Sequence, residues 1–551
     1  MPEDKKYFKF EIQKKSGGVR NICAPTGALK MIQRKLADLL YDCREEIENS
    51  QPITKGPKQR PLSFGFRRAQ SIMDNARQHR HCRFVLNLDI QDFFPSFNFG
   101  RVRGFFLKDK HFALNEPIAT TIAQIACFNN SLPQGSPCSP VIADMVAHIL
   151  DVRLVRLAKR FNANYSRYAD DLSFSTTLVS FPEALAREDS ESGIWSLGDE
   201  LLSVISHAGF VVNPAKTRMQ LRTSRQTVTG LTVNKKVNIS QDYWRSARAM
   251  CDALFQTGAY HRRDMSEDST ENDIKYKMIS KTDILEGILA HINLVKRKEW
   301  IRQKEISPLA QPGMKLYAKF LFFKYFINLE KTLLVCEGKT DNIYLKYAIR
   351  NLSKFHPTLG EKTKDGFKMK INLFKYDNKV HNILEMTGGS STIVKFIKNY
   401  KDNLKKFRYR PTKHPVIILL DNDKGLISSL REIIKKRFDI DVSLTTGAPF
   451  YHLIDNLYLI KTPEKGNEGV SCIEDCFDPT LLAFPHEGKQ FNAAKEIDVT
   501  KEFGKAVFAE KVVVPQADKI DWSGFEPLLN RVNAVIADFA TIEKNVIAKA
   551  A

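Results

Sequence analysis

Tyr168-Ala169-Asp170-Asp171 interrupts the apolar stretch from Tyr165 to Phe174, which reads as two short strands folded about an acidic tip. Earlier in the chain, Asn87-Leu88-Asp89-Ile90-Gln91-Asp92-Phe93-Phe94 closes an apolar run that starts at Phe84. That run is short and continuous, as a buried strand is, and it delivers Asp89 to the strand end. Adjacent like charges repel, so Asp170-Asp171 alone would suit a solvated turn. The apolar flanks predict instead that this pair meets Asp89 across a sheet. Three carboxylates gathered there offer hard oxygen ligands to divalent cations. Two Mg²⁺ about 4 Å apart would activate a hydroxyl and neutralise leaving pyrophosphate, the chemistry of nucleotidyl transfer.

Between the two acidic motifs lies Leu132-Pro133-Gln134-Gly135-Ser136-Pro137-Cys138-Ser139-Pro140, followed by helical spacing through Ile142, Met145, Val146, Ile149 and Leu150. In this order the motifs resemble the fingers and palm of a reverse transcriptase, over residues 10–240. The resemblance implies that Asp89, Asp170 and Asp171 are the catalytic metal ligands. It places Gln134, beside Gly135, against the nucleotide or template, and Phe94 beneath the sugar as a gate against a 2′-hydroxyl. Arg20, with Lys14 or Lys15, matches the basic fingers that grip the triphosphate of a dNTP. Lys216, in Asn213-Pro214-Ala215-Lys216-Thr217, matches the lysine that protonates pyrophosphate.

Two further motifs narrow the resemblance. Asn75-Ala76-Arg77-Gln78-His79 fits the NAxxH pattern of retron reverse transcriptases, and Val228-Thr229-Gly230 fits their VTG motif. By that likeness Asn75, His79, Val228, Thr229 and Gly230 serve recognition of the retron RNA. The family copies a structured noncoding RNA (msr-msd), priming from a guanosine 2′-hydroxyl within it, to give branched msDNA. It is implied to act in anti-phage defence. Weaker likeness continues through Leu285–Val295, in the thumb.

After residue 330 a new pattern begins. Leu333-Leu334-Val335-Cys336-Glu337-Gly338-Lys339-Thr340-Asp341 reads as strand, glycine turn and helix start, and Val416–Leu420 runs into Asp421-Asn422-Asp423. In a parallel sheet the carboxyl ends of strands share one edge, so Glu337, Asp341, Asp421 and Asp423 would gather there. Crowded carboxylates require a cation, Mg²⁺ or Mn²⁺. EGxxD followed by DxD resembles the TOPRIM domain of topoisomerases, primases and OLD-family nucleases. That likeness adds Glu474 as a further ligand and implies a metal-dependent nuclease acting on a nucleic-acid target.

Composition agrees with polyanion chemistry. There are 84 Lys+Arg against 63 Asp+Glu, a formal charge of +21, of which +14 lies in residues 1–330. Such a field attracts phosphate backbones without sequence preference. The nine cysteines contain no CxxC pair, which excludes a zinc ribbon and a disulfide framework. No apolar run approaches the roughly 18 residues of a membrane span, and Met1–Phe10 lacks the apolar core of a secretory signal. These features lead one to expect a soluble, intracellular protein with no membrane partner, which the retron likeness implies is in the bacterial cytoplasm; they leave homo-oligomerisation open.

The expected fold is multidomain, α/β and α+β. Residues 1–240 form reverse transcriptase fingers and palm, 241–330 the thumb, 331–478 a Rossmann-like TOPRIM domain, and 479–551 a small, mostly helical extension. The rival reading is an intron-like or repair reverse transcriptase carrying a non-catalytic TOPRIM module that binds nucleic acid.

Overall fold

A computed structural model describes residues 6–13, 18–50, 61–263, 276–303, 311–494 and 496–550. Lys14 and Lys15 lie outside the described residues. The chain forms two compact units: residues 1–245 with 294–304, and residues 246–293 with 305–551. The division falls inside two helices, Gln241–Thr257 and Asp283–Gln303, so a thumb drawn over 241–330 is shared between them.

The first unit opens with an antiparallel ribbon, β1 (Tyr7–Gln13) and β2 (Val19–Pro25), then helices α1 (Gly27–Asn49) and α2 (Ile72–Arg77). Strand β3 (Phe84–Asp89) is followed by α3 (Phe99–Lys108), α4 (Glu116–Ala126) and the long α5 (Ser139–Arg160). The tip hairpin is β4 (Asn164–Tyr168) and β5 (Asp171–Thr176); helix α6 (Asp199–His207) and strand β6 (Arg218–Leu221) come next. These strands form an antiparallel sheet in the order β4-β5-β3-β6. Asn98 starts α3 by accepting the Arg101 backbone N–H, and Asn115 starts α4 by accepting that of Ile118. Each satisfies a donor the helix leaves orphaned, worth about 1 kcal/mol. The core joins Leu86, Leu88, Leu172 and Phe174 of the sheet to Val141, Ile142, Leu150 and Leu154 of α5.

Within that core lies a buried ionic hub. Arg167 of β4, wholly buried, binds Asp151 through Nε and Nη2, both at 2.7 Å, and Asp144 through Nη2 at 2.8 Å. Its Nη1 donates to the Ala169 carbonyl at 3.2 Å, so the hub grips the acidic turn itself. Ala169 sits at φ +58°, a left-handed conformation that costs an L-residue roughly 1–2 kcal/mol. Segment 62–64 runs alongside β4, exchanging backbone bonds with Arg167 at 2.9 Å each. A Cβ on Gly65 would lie 2.4 Å from the Ala169 nitrogen, so only glycine allows this approach.

The second unit centres on a five-stranded sheet. Strand β9 (Leu333–Cys336) leads into helix α7 (Lys339–Asn351); β10 (Asn372–Leu373), α8 (Ser390–Leu404), β11 (Val416–Leu420) and α9 (Lys424–Phe438) follow. Strands β12 (Tyr451–Ile454) and β13 (Leu457–Lys461) complete a sheet of order β10-β9-β11-β13-β12. Its pairings are parallel except β12 with β13. β11 is buried at every position, which is why it reads as Val-Ile-Ile-Leu-Leu without alternation. The chain's end is no separate tail. Phe508, Trp522, Phe525 and Val532 share one core with Tyr344, Leu345, Ile349 and Ile460, and helix α10 (Glu526–Ala550) lies against β13.

Candidate active sites

The first site is built by strand register. Asp89 and Asp171 are direct partners across β3 and β5, and the Ile90 N–H donates to the Asp170 carbonyl at 3.0 Å. The two-residue turn of the β4–β5 hairpin leaves Asp170 beside them. Crowding shows in their protonation. Burial first, then the charges of Asp170 and Asp89, push the Asp171 carboxyl up to about 6. Asp170 is also raised, chiefly by burial. Lys216 Nζ donates to Asp89 Oδ2 at 2.8 Å, and that contact raises the lysine's own pKa. Asn213 fixes the approach, its N–H donating to the Asp89 carbonyl at 2.8 Å.

Asp170 and Asp171, which resist ionisation beside the buried Asp89, form with it a donor set that a divalent cation would stabilise. Their side chains do not close on a single point: among the described residues, no three His, Cys, Asp or Glu groups stand arranged as a cage.

The remaining predicted residues surround this centre. The Gln134 carbonyl accepts the Cys23 N–H of β2 at 2.7 Å, and Ser136 Oγ donates to Gln33 of α1 at 2.8 Å. Gly135 sits at φ +117°, where a Cβ would lie 2.8 Å from the Cys23 carbonyl oxygen. The turn is thus fastened to the ribbon that carries Arg20, whose charge reaches Asp170. Phe94, half-buried, packs in the turn after β3 with Phe93 and Phe66 at 5.6 and 5.8 Å between ring centres.

The expected RNA-reading residues need correction. Asn75 and His79 are 1% and 0% exposed. Ser166 Oγ donates to Asn75 Oδ1 at 2.6 Å, so it accepts from His79 Nε2 at 2.7 Å, and Nδ1 accepts from Ser175 Oγ at 2.7 Å. Burial drives the His79 pKa down to about 3, so the ring is a neutral brace on the two tip strands. Val228 is also wholly buried. It belongs to a short ribbon, β7 (Thr227–Val228) with β8 (Leu231–Thr232), turned by Thr229 at φ +47° and Gly230 at φ +79°. Thr229 Oγ1 donates to the Ile72 carbonyl at 3.2 Å, joining this turn to α2. The two motifs are therefore one packed element; of the five residues expected to read RNA, Asn75, His79 and Val228 are buried and Thr229 and Gly230 reach solvent.

The second site lies at the carboxyl ends of β9 and β11. Glu337 follows β9; Asp341, in the first turn of α7, accepts the Gly338 N–H at 2.7 Å. Asp421 follows β11 and accepts the Ile473 N–H at 2.9 Å. Burial, then Asp341, push the Asp421 carboxyl up to about 7. Glu337 is raised by burial and by Asp423 and Asp341. Glu474, 2% exposed, acts by its charge on Asp341 and Asp421, so the five predicted acids influence one another, although here too, among the described residues, no three of them stand arranged as a cage. Oε2 of Glu337 and Oε1 of Glu474 are buried without a hydrogen bond. Orphaned acceptors of this kind are costly and fit a cation.

Sequence reading missed Lys505. Its Nζ pairs with Glu474 Oε2 at 2.9 Å, and the acids around it raise its pKa despite burial. Only an isolated basic residue after Gly504 marks it in the sequence.

Comparisons with known proteins follow this geometry. The profile of the reverse transcriptase (RNA-dependent DNA polymerase) family matches residues 12–235. Retron Mx65 reverse transcriptase of Myxococcus xanthus is 32% identical over 311 residues, 53% of this chain and 62% of that protein. Retron Ec86 reverse transcriptase of Escherichia coli is 31% identical over 255 residues, 46% of this chain and 71% of that protein. The chain therefore spans under two thirds of the first relative and somewhat more of the second. A solved telomerase from Candida albicans, in complex with a telomeric RNA fragment, aligns at 11% identity with a TM-score of 0.33, covering 80% of this chain and 64% of that one. Among the described residues no helix is long and apolar enough to cross a membrane. Identity of this level across most of the Escherichia coli protein shows that the chain belongs to the retron reverse transcriptase family.

Proposed function

We propose that this chain is an RNA-directed DNA polymerase that copies a cognate noncoding RNA into branched msDNA, priming from an internal 2′-hydroxyl and consuming dNTPs. We also propose that its second cluster is a TOPRIM-type, metal-dependent nuclease serving anti-phage defence. The observation carrying the first half is the register that sets Asp89 opposite Asp171 with Lys216 on Asp89. The parallel sheet with its five acids at one edge supports the second half.

In the polymerase reading Asp89, Asp170 and Asp171 would hold Mg²⁺, which would supply activation of the attacking hydroxyl and charge neutralisation at pyrophosphate. Lys216, whose Nζ keeps its proton against Asp89, would deliver it to the leaving group. Arg20 grips the triphosphate; its planar fork suits phosphate oxygens. Gln134 supports the nucleotide from its fastened turn, and Phe94 presents a ring to the sugar. At the second site Glu337, Asp341, Asp421, Asp423 and Glu474 would hold Mg²⁺ or Mn²⁺, which polarises a phosphodiester. Lys505 keeps its proton there and offsets the charge of Glu474.

The test is the nucleic acid that co-purifies with the full chain expressed beside its native flanking sequence. Branched RNA–DNA in the wild type, missing from the Asp170→Asn/Asp171→Asn variant, is the expected result. Linear RNA alone in both would reject it in favour of an intron-like or repair polymerase. For the nuclease, Glu337→Gln is expected to abolish metal-dependent cleavage and cellular toxicity; unchanged toxicity would leave a non-catalytic module.

A further inference from the structure

An open hollow of about 460 Å³ lies between α3, α5 and the end of α6. None of Asp89, Asp170, Asp171 or Gln134 lines it, so it is no part of the polymerase centre. Its floor is apolar: Phe105, Val146, Leu150 and Phe210, with Ile149 54% exposed beside them. One wall is rigid. Arg101 stacks on Phe97 and Phe210, at 5.1 and 4.4 Å from the ring centres, and donates to the Ser96, Ala208 and Gly209 carbonyls.

The rim is basic. Lys108, Lys110 and Arg153 are exposed on it, and among the described residues none of the three forms an ion pair. Asp109 is the single acid, and its carboxylate is engaged by the His111 backbone N–H at 2.9 Å. Arg156, one turn along α5 from Arg153, extends the same exposed positive strip. Unpaired cations this close together repel one another, and the fold gives no internal reason to gather them. An anion with an apolar body relieves the charge and covers Phe105 and Ile149, the part of the floor that reaches solvent. A nucleotide has that form: phosphates for the rim, a base for the half-exposed Phe105 ring. The charge excess of the first 330 residues, +14, favours a polyanion over an acidic protein.

We infer that this hollow is a second RNA-binding site, which holds a segment of the template RNA by its phosphates on the helical layer of the first unit, away from the catalytic acids. The inference rests on the reading of the chain as a polymerase that retains a structured RNA. A site here would let the enzyme keep hold of its RNA while the copied strand moves through the centre.

The test uses the full chain, stripped of nucleic acid, with a fluorescent RNA hairpin as probe. Lysines are acetylated with and without the hairpin and read by mass spectrometry. Lys108 and Lys110 are expected to be protected about fivefold or more, as phosphate contacts exclude the reagent. The Lys108→Glu/Lys110→Glu/Arg153→Glu variant is expected to weaken hairpin binding about tenfold or more and to lower the slope of log K against log salt by about 2–3. Its melting temperature is expected to stay near wild type, since exposed side chains away from the core contribute little to stability. Equal acetylation with and without RNA, or an unchanged salt slope in a folded variant, would overturn the inference. Wild-type extension of oligo(dT) on poly(rA) is measured alongside: no extension with the lysines protected would remove the polymerase reading and leave the hollow as an RNA site.

Discussion

The two carboxylate clusters of this chain solve one electrostatic problem with different scaffolds. In the first, an antiparallel hairpin and its neighbour strand bring three acids together, and Lys216, with its side chain 54% exposed, supplies a counter-charge. In the second, parallel strands end at one edge, five acids act on one another through their charges, and Lys505 is the cation. The first cluster pushes Asp171 to about 6; the deeper one pushes Asp421 to about 7 and leaves two carboxylate oxygens without partners. The first site stays partly wet, with Asp171 exposed. The second, where Asp341 and Glu474 are buried, holds more unrelieved charge, so it should depend more on a cation.

The largest expected effect separates the clusters outright. Asp170→Asn/Asp171→Asn should lower DNA synthesis at least about 10³-fold while leaving the cleavage proposed for the second site intact, and Asp421→Asn should do the converse. Parallel assays of primer extension and phosphodiester cleavage check this; joint loss in either variant would mean that the sites are not independent.

Next comes pH. A carboxyl whose folded pKa is raised binds more protons folded than unfolded, so it lowers stability as pH rises through that window. With EDTA present, stability should fall between about pH 4 and 7 for Asp421 and between about pH 4 and 6 for Asp171, the former by on the order of 2–4 kcal/mol. Thermal melts with and without Mg²⁺ should show the larger metal-induced gain at pH 8. Equal gains at pH 5 and pH 8 would break the comparison.

The lysines should differ in the same direction. Lys505→Ala leaves Glu474 buried without its partner and should cost about 1–3 kcal/mol, read by urea melts. Lys216→Ala removes an exposed cation and should change stability by less than about 1 kcal/mol while slowing DNA synthesis roughly tenfold or more. Equal destabilisation by both would erase the contrast between a wet and a closed site.

Much of the first site was legible because a strand that ends in aspartate and a hairpin tipped by two more leave few other arrangements. The second was legible for a related reason: β9 and β11 are uninterrupted apolar runs, each followed at once by an acid. Long-range contacts were harder. Lys505 meets Glu474 through the packing of Phe508 and Phe525 on Tyr344 and Phe477, which no local period announces. The family likeness gave His79 to RNA recognition, but Ser166 and Ser175 come from strands far along the chain to enclose it. The Arg167 hub did leave a trace: Asp144 and Asp151 stand seven residues apart on the apolar stripe of α5, where an acid needs a buried partner.

The most direct measurement is Mn²⁺ binding to the full chain, followed by electron paramagnetic resonance titration in four forms. The wild type should bind at two separable classes of site, with Asp170→Asn/Asp171→Asn removing one class and Glu337→Gln/Asp421→Asn the other. The combined variant should bind at neither. Undiminished Mn²⁺ binding in that folded, combined variant would contradict the claim that these carboxylates hold the metal.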